Sequence, residues 1–301
     1  MSLSDDLRDE LAQIAPERRC CRLAELSALF HSSGAWHLRG GSIAVHLDLI
    51  SSAIARRAFA LLRDLGVRSE IRTYPQRSFD RATRYQLHVT VDAHALAVLR
   101  EAGVLSASGA PLEVPPKRVV GRSCCRGAYL RGALLGAGSL SGPRDPHLET
   151  RAGTIEAAQF VQDVARRADA KLAVVERRNH AIAYAKGHEA IGSVLAVAGA
   201  GDTALVLEEH AILSSLRADA NRLANADEAN LERSARAAHK QLEAIRAIGV
   251  DALPTELVEI AELRLRHPSA SVAELAAKAR PPLTKSAAHR RLQAVTRLVE
   301  T

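Results

Sequence analysis

Cys124-Cys125-Arg126-Gly127-Ala128-Tyr129-Leu130-Arg131-Gly132-Ala133-Leu134-Leu135-Gly136-Ala137-Gly138 is the second of two related stretches in this chain. The first is Cys20-Cys21-Arg22-Leu23-Ala24-Glu25-Leu26-Ser27-Ala28-Leu29-Phe30-His31-Ser32-Ser33-Gly34. Their offset is constant at 124 − 20 = 104 residues, and Cys, Cys, Arg, Ala, Leu and the last Gly coincide. A repeat that cannot bury its apolar face alone is completed by its second copy. A period this long predicts a duplicated half-domain with pseudo-twofold symmetry and argues against a solenoid.

Each copy has small residues four apart near the end of its predicted helix: Ala28 and Ser32, then Gly132 and Gly136. Residues at i and i+4 share a helix face, and small ones there let two backbones approach closely. Glycine inside a helix costs about 1 kcal/mol relative to alanine, so two of them need a reason. Packing of the two repeat helices along a pseudo-dyad supplies one. A single copy reads better as an ordinary Ala/Gly-rich core helix, and the coincidence of two reverses that preference.

Leu130 to Ser139 resembles the LAGLIDADG helix of homing endonucleases, followed by its Gly-Ser exit into a strand. In those nucleases the eighth motif position is an acidic residue that binds the divalent metal. Here it is Ala137, and Ser33 is its counterpart in the first copy. Metal-assisted phosphodiester cleavage needs carboxylates to hold the ions. The departure therefore predicts a scaffold without catalytic residues.

With 301 residues, 47% of them apolar, the chain is long enough for two domains with real cores. Its net charge of +7 favours an acidic partner, nucleic acid first. Aromatic residues make up 3% of the chain and offer no stacking platform for RNA. The polar, acidic start at Met1-Ser2-Leu3-Ser4-Asp5-Asp6 is unlike a signal peptide. The most apolar run, Ile191 to Leu207, is cut by Gly199, Gly201 and Asp202, so it reads as a helix, a turn and another element, with no membrane span. A soluble cytoplasmic protein is expected.

The four cysteines form two vicinal pairs at the same repeat offset, which lets them meet across the pseudo-dyad. Zinc sites usually take ligands two to four residues apart, a spacing that adjacent cysteines fit badly. Buried structural thiols are the favoured reading, a metal or redox role the alternative. No metal ligand and no cofactor is expected.

Strand-like and helical segments alternate after each repeat helix. His37 to Leu47 reads as a hairpin turning at Gly40-Gly41, followed by a helix from Ser52 to Leu65 that Gly66 stops. Strands at Ser69–Tyr74 and Tyr85–Val91 flank a polar turn, and Asp92 caps a helix over Ala93–Ala102. The second copy repeats the order: His147–Thr150, a helix from Ile155 to Ala168, strands near Lys171–Glu176 and Ala181–Ala185, and a helix from Glu189. Gly109 to Lys117, rich in proline, links the copies. From Glu208 to Ile248 the alanine-rich, charged, proline-free sequence predicts one or two long helices. Asn221, Arg222, Asn225 and Asn230 recur there, reading either as a solvated face or helix-break cap, or as a phosphate or partner contact.

Leu253-Pro254 opens a last module. Thr255–Arg266 reads as a helix ending before Pro268. The Ser271/Glu274 capping box starts a short helix to Ala279, and Thr284 caps a third from Lys285 to about Glu300. Three such helices match a helix-turn-helix. Ala288, Leu292, Val295 and Val299 should face the core. Thr284, Lys285, Ser286, His289, Arg290, Arg291, Gln293 and Arg297 are the expected DNA-binding residues, since Lys and Arg neutralise phosphates or pair with guanine while Gln and Ser suit base edges.

Nearly end to end, the chain resembles the WhiA family of bacterial regulators. The resemblance rests on Cys20-Cys21 with Glu25, Tyr129 to Ala133, Gly138-Ser139, His147-Leu148-Glu149, and Tyr184 with Lys186-Gly187. It continues through Asn221-Arg222 with Asn225, Ala229-Asn230, Leu253-Pro254 and Pro281 to Ser286. After Ser286 the family has Gly-Val-Asn-His-Arg-Leu, whereas this chain has Ala287-Ala288-His289-Arg290-Arg291-Leu292, which predicts an altered base preference. The resemblance implies an α+β fold: a degenerate, duplicated LAGLIDADG-like pseudo-twofold domain over residues 1–205, with repeats at 20–108 and 118–200. A helical connector would span 206–250 and an all-α helix-turn-helix domain 251–301. It also implies a nucleoid-associated, non-enzymatic transcription regulator that binds double-stranded promoter DNA. Such a protein serves sporulation septation in actinobacteria, and cell division and chromosome segregation elsewhere. A second transcription regulator is a candidate partner. The alternatives are an active homing endonuclease and a protein-docking regulator with secondary DNA binding.

Overall fold

The computed structural model describes residues 2–39, 42–75, 83–143 and 145–299. The Gly40-Gly41 turn, the polar turn between Pro75 and Thr83, and the helix end at Glu300 lie outside the described residues. The chain divides into two compact units, Met1–Ser214 and Ser215–Thr301.

In the first unit, α1 (Leu3–Gln13) precedes α2 (Arg19–Ser33), β1 (Gly34–Arg39), β2 (Ser42–Leu49), α3 (Ser52–Asp64), β3 (Ser69–Pro75), β4 (Thr83–Val89) and α4 (Ala93–Glu101). A 3-10 turn at Lys117–Val120 leads to α5 (Ser123–Ala137), β5 (Gly138–Ser141), β6 (His147–Ala152), α6 (Ile155–Arg166), β7 (Ala173–Arg177), β8 (His180–Lys186) and α7 (His188–Ala198). The sheet orders are β1-β2-β4-β3 and β5-β6-β8-β7, antiparallel throughout. One connectivity used twice is the architecture that the 104-residue offset predicts.

Local chemistry accounts for these elements. The side chains of Ser51, Asp92 and Thr154 accept from the amides of Ile54, Ala95 and Ala157, capping α3, α4 and α6. Ile54, Ala55, Ala58, Leu61 and Leu62 recur at helical spacing and bury one face of α3. Alternate residues on the strands, Val45, Leu47 and Leu49 on β2 and Leu87 and Val89 on β4, complete that core. Strand β1 begins three residues before the expected His37, because Gly34 leaves α2 already extended, as Gly138 leaves α5.

The central helices α2 and α5 pack against each other so closely that a Cβ on Gly132 would collide with the Glu25 carbonyl oxygen. A Cβ on Gly136 would collide with Ser32 Oγ. Between these helices lies Glu25, fully buried. Its carboxylate accepts from Arg57 Nε and Nη2 at 2.7 and 3.1 Å and from Arg131 Nε at 2.9 Å. Arg131 Nη1 also donates to the Ala198 carbonyl at 3.0 Å. Two guanidiniums thus compensate one interior carboxylate with charge-assisted bonds.

Helix α1 ties the first residues of the unit to its last ones. Ser4 Oγ donates to the Leu140 carbonyl at 2.8 Å and accepts from the Leu140 amide at 2.7 Å. Arg8 reaches the Gly138 carbonyl at 2.8 Å. The Glu10 carboxylate accepts from the amides of Asp202 and Thr203 at 2.8 and 2.9 Å, capping α8 (Gly201–Ile248). Between α7 and α8 the chain turns at Gly199, whose φ of +98° suits glycine. Among the described residues no helix is long and apolar enough to cross a membrane.

Where one or two connector helices were expected, α8 is a single helix of 48 residues that starts at Gly201. Neither proline nor a further glycine interrupts it before Gly249. In the second unit its end packs with α9 (Thr255–Arg266), α10 (Val272–Lys278) and α11 (Lys285–Arg297). Ala244, Ile245, Leu257, Ala261 and Val295 form one cluster. Ile260, Leu263, Leu275, Ala276, Ala288 and Leu292 form the other. The Ser271/Glu274 capping box is present. Buried Arg264 donates to Gln241 Oε1 at 3.0 Å and to the Pro268 and Ala270 carbonyls, fastening the turn after α9. Val299, expected in the core, is exposed: α11 ends at Arg297, so Val299 no longer follows the face of Val295.

Candidate nucleic-acid interface

Helix α11 is the third helix of the helix-turn-helix. Thr284 Oγ1 accepts from the Ala287 amide at 3.2 Å and sets its start. Ala288, Leu292 and Val295 are fully buried, which fixes the helix's rotation. That rotation leaves Thr284, Lys285, Ser286, His289, Arg290, Gln293 and Arg297 exposed on the outward side. Arg291 is half-buried, because it lies between Ala288 and Val295 at the margin of the core face. No Asp or Glu occurs from Thr284 to Val299, so no acidic side chain of α11 offsets these cations.

Asn221, Arg222, Asn225 and Asn230 lie far from any helix break, all exposed on α8. The helix-break reading therefore falls. Arg222 pairs with Asp219, and Asn230 accepts from Arg233, so both take part in local helix-surface contacts.

The polar sheet faces of the first unit carry a second constellation that sequence reading missed. His37, His46 and His88 stack on neighbouring strands with ring centroids 5.1 and 5.2 Å apart. His46 faces Asp48 at 3.3 Å, and Gln86 bridges Asp48 and His88 at 2.9 and 3.1 Å. Burial, with Arg72 and His46 nearby, pushes the His88 imidazole below its ordinary range. In the second copy His147 stacks on Tyr184 at 5.5 Å and faces Glu149. The available signal was polar residues at every second position of these strands. Asp48, Glu70 and Glu149 give these faces mixed charge, so α11 is the stronger candidate for phosphate contact.

At the exits of α2 and α5, Ser33 and Ala137 occupy the positions where the nuclease motif has acids. Ser33 Oγ donates back to the Leu29 carbonyl at 2.8 Å. At the opposite ends of the same helices the four cysteines meet. The Cys21 thiol and the Arg18 guanidinium donate toward Cys124 and hold its pKa down to about 7, while burial pushes Cys21 up to about 12.

A LAGLIDADG-like duplicated fold joined to a helix-turn-helix unit is the class these two units define. Three family models match in chain order: the WhiA N-terminal LAGLIDADG-like domain over residues 19–105, the WhiA LAGLIDADG-like domain over 126–217, and the WhiA C-terminal HTH domain over 220–299. The chain belongs to the WhiA family. A probable cell division protein WhiA of Heliobacterium modesticaldum is 36% identical over 307 aligned positions, spanning 100% of this chain and 96% of the relative. Its counterpart in Mycobacterium bovis is 37% identical, spanning 97% and 91%. The crystal structure of full-length WhiA from Thermatoga maritima has the same fold, with a TM-score of 0.60 at 24% identity over 100% of this chain and 98% of that one.

Proposed function

We propose that this chain binds double-stranded promoter DNA through α11 and acts as a transcription regulator without nuclease activity. The observation that carries the reading is the exposed face of α11: Lys285, Ser286, His289, Arg290 and Gln293 at the start of the third helix, with no acid among them. That is the position from which a recognition helix reaches base edges in the major groove. Lys285 holds a phosphate, and Arg290 and Gln293 read bases. Asn221, Arg222, Asn225 and Asn230 add a secondary contact to DNA or to another regulator. Leu216 and Leu223, exposed on the same helix, support the partner alternative.

The relatives, probable cell division proteins, connect this regulator with cell division. The family resemblance extends the role to sporulation septation and chromosome segregation, at the nucleoid. Ser33 and Ala137 support the absence of cleavage, since neither side chain can hold a divalent ion as a carboxylate does.

The test is a salt-varied binding titration of the intact chain against genomic promoter fragments with Mg²⁺ present, the DNA being run out afterwards. Selective binding of uncut DNA is the expected result. Cut DNA would overturn the non-nuclease reading, and equal affinity for all fragments would overturn sequence-specific regulation.

A further inference from the structure

Cys20 and Cys21 open α2, and Cys124 and Cys125 open α5. Neighbouring side chains on one helix diverge by about 100°, so a vicinal pair does not by itself chelate well. Across the pseudo-dyad the two pairs face each other, and all four sulfurs lie within 4.8 Å of one another. Cys124 and Cys125 Sγ are already 4.0 Å apart. A tetrahedral zinc with Zn–S bonds of about 2.3 Å needs sulfurs about 3.8 Å apart, so small side-chain adjustments close the cage. An iron–sulfur cluster spreads its thiolates over two or four irons and needs a wider cage.

The surroundings are built for negative charge. Both cysteine pairs lie in the first turns of helices, where the dipole favours thiolate. Arg18 Nη1 lies 3.8 Å from Cys124 Sγ, and Arg122 Nη1 lies 3.7 Å from Cys20 Sγ. These are the same contact made twice, because Arg18 and Arg122 are repeat mates, as are Cys20 and Cys124. Each copy's arginine supports the other copy's sulfur, as outer partners support the ligands of structural metals. Cys21 and Cys125 are buried and Cys20 and Cys124 half-buried. An open cleft lined by Arg18, Arg19, Cys20, Glu101 and Arg122 provides the entry path.

We propose that Cys20, Cys21, Cys124 and Cys125 bind one Zn²⁺ as a structural tetrathiolate site joining the two copies. This replaces the expectation of no metal ligand and is independent of the DNA-binding reading. Loading is ligand exchange without redox change: one Zn²⁺ and four thiols give the dianionic tetrathiolate complex and release four protons. The two arginines and the two helix dipoles offset its charge.

The experiment loads the full chain, purified under reductant without oxygen, with Co²⁺ as a spectroscopic probe and with Zn²⁺ against a chromophoric chelator. One Co²⁺ per chain with the intense visible bands of a tetrahedral thiolate site is expected. Cys20→Ser and Cys124→Ser, at the half-buried positions, should weaken Zn²⁺ binding at least tenfold while far-ultraviolet circular dichroism stays unchanged. If the folded wild-type chain yields no thiolate–cobalt spectrum, or its four thiols react with Ellman's reagent equally fast with and without Zn²⁺, the proposal falls. Recovery of these cysteines as disulfides from the reductant-treated chain would overturn it too.

Discussion

Glu25 and Arg131 come from different copies of the repeat and meet at 2.9 Å in the interior of the first unit. The carboxylate is fully buried and the guanidinium nearly so. Removing Glu25 leaves two interior guanidiniums uncompensated, so Glu25→Leu should lower stability by about 3–5 kcal/mol in a denaturant titration. Arg131→Ala should cost less, because Arg57 still holds the carboxylate through two hydrogen bonds. Arg131→Lys should fall between Arg131→Ala and the wild type, because one ammonium replaces the fork that also holds the Ala198 carbonyl. Wild-type midpoints for all three would mean that the triad contributes nothing.

Two glycines in helices should respond oppositely to alanine. At Gly132 the added Cβ meets backbone of the partner helix, and overpacking of this kind costs about 1–3 kcal/mol. At Gly192 in α7 nothing lies within 4 Å of the added Cβ, so Gly192→Ala should gain about 0.5–1 kcal/mol. Thermal unfolding of the two variants side by side checks this, and an unchanged Gly132→Ala protein would refute the close approach of α2 and α5.

On α11, Arg290→Ala should cost about 1–3 kcal/mol of specific binding and relax base preference at one position. Lys285→Ala should weaken all sequences evenly and lower the salt slope by about 1. Titrations at several salt concentrations separate the two. An unchanged affinity at fixed salt would remove Arg290 from the interface.

His31 should make the fold acid-sensitive. Burial pushes its imidazole below the ordinary range, opposed in part by the hydrogen bond from Nδ1 to the Ser27 carbonyl at 2.7 Å. A depressed folded pKa means that the unfolded chain takes up the proton first. The stability contribution is therefore complete above about pH 6.5 and is lost as pH falls from there through the folded value. His31→Leu, which installs the residue found at the repeat mate Leu135, should flatten the stability profile below that pH. Denaturant titrations across the acid range would show parallel profiles if the histidine were not responsible.

The duplicated fold was legible because the repeat is strong where helices touch: cysteines, small residues and the exit glycine recur at one offset. The caps Asp92, Ser271 and Thr284 were legible too, since each acts within four residues of sequence. The Glu25–Arg57–Arg131 triad was not, because it breaks the repeat: the mate of Glu25 is Tyr129, and the three residues meet only in space. That the cysteine pairs meet was legible in their shared offset; how closely their sulfurs approach, within 4.8 Å, was not, because spacing along one helix says nothing of the distance to the other. Val299 was misplaced because the periodicity of α11 continues on paper past its last turn. Which residues of α11 are exposed was legible in the sequence, and the rotation of the helix followed from Ala288, Leu292 and Val295.

The contacts of α1 have a bearing on biosynthesis. Glu10 leaves the ribosome 193 residues before Thr203, the hydroxyl it will hold at 2.6 Å. Ser4 waits 136 residues for Leu140. Throughout that interval Leu7 and Leu11, which end fully buried, lack part of their cover. The first repeat therefore emerges with an unfinished flank that only the second can close. Translation pauses, or chaperones that shield short apolar helices, would matter most while residues between these two points are being made.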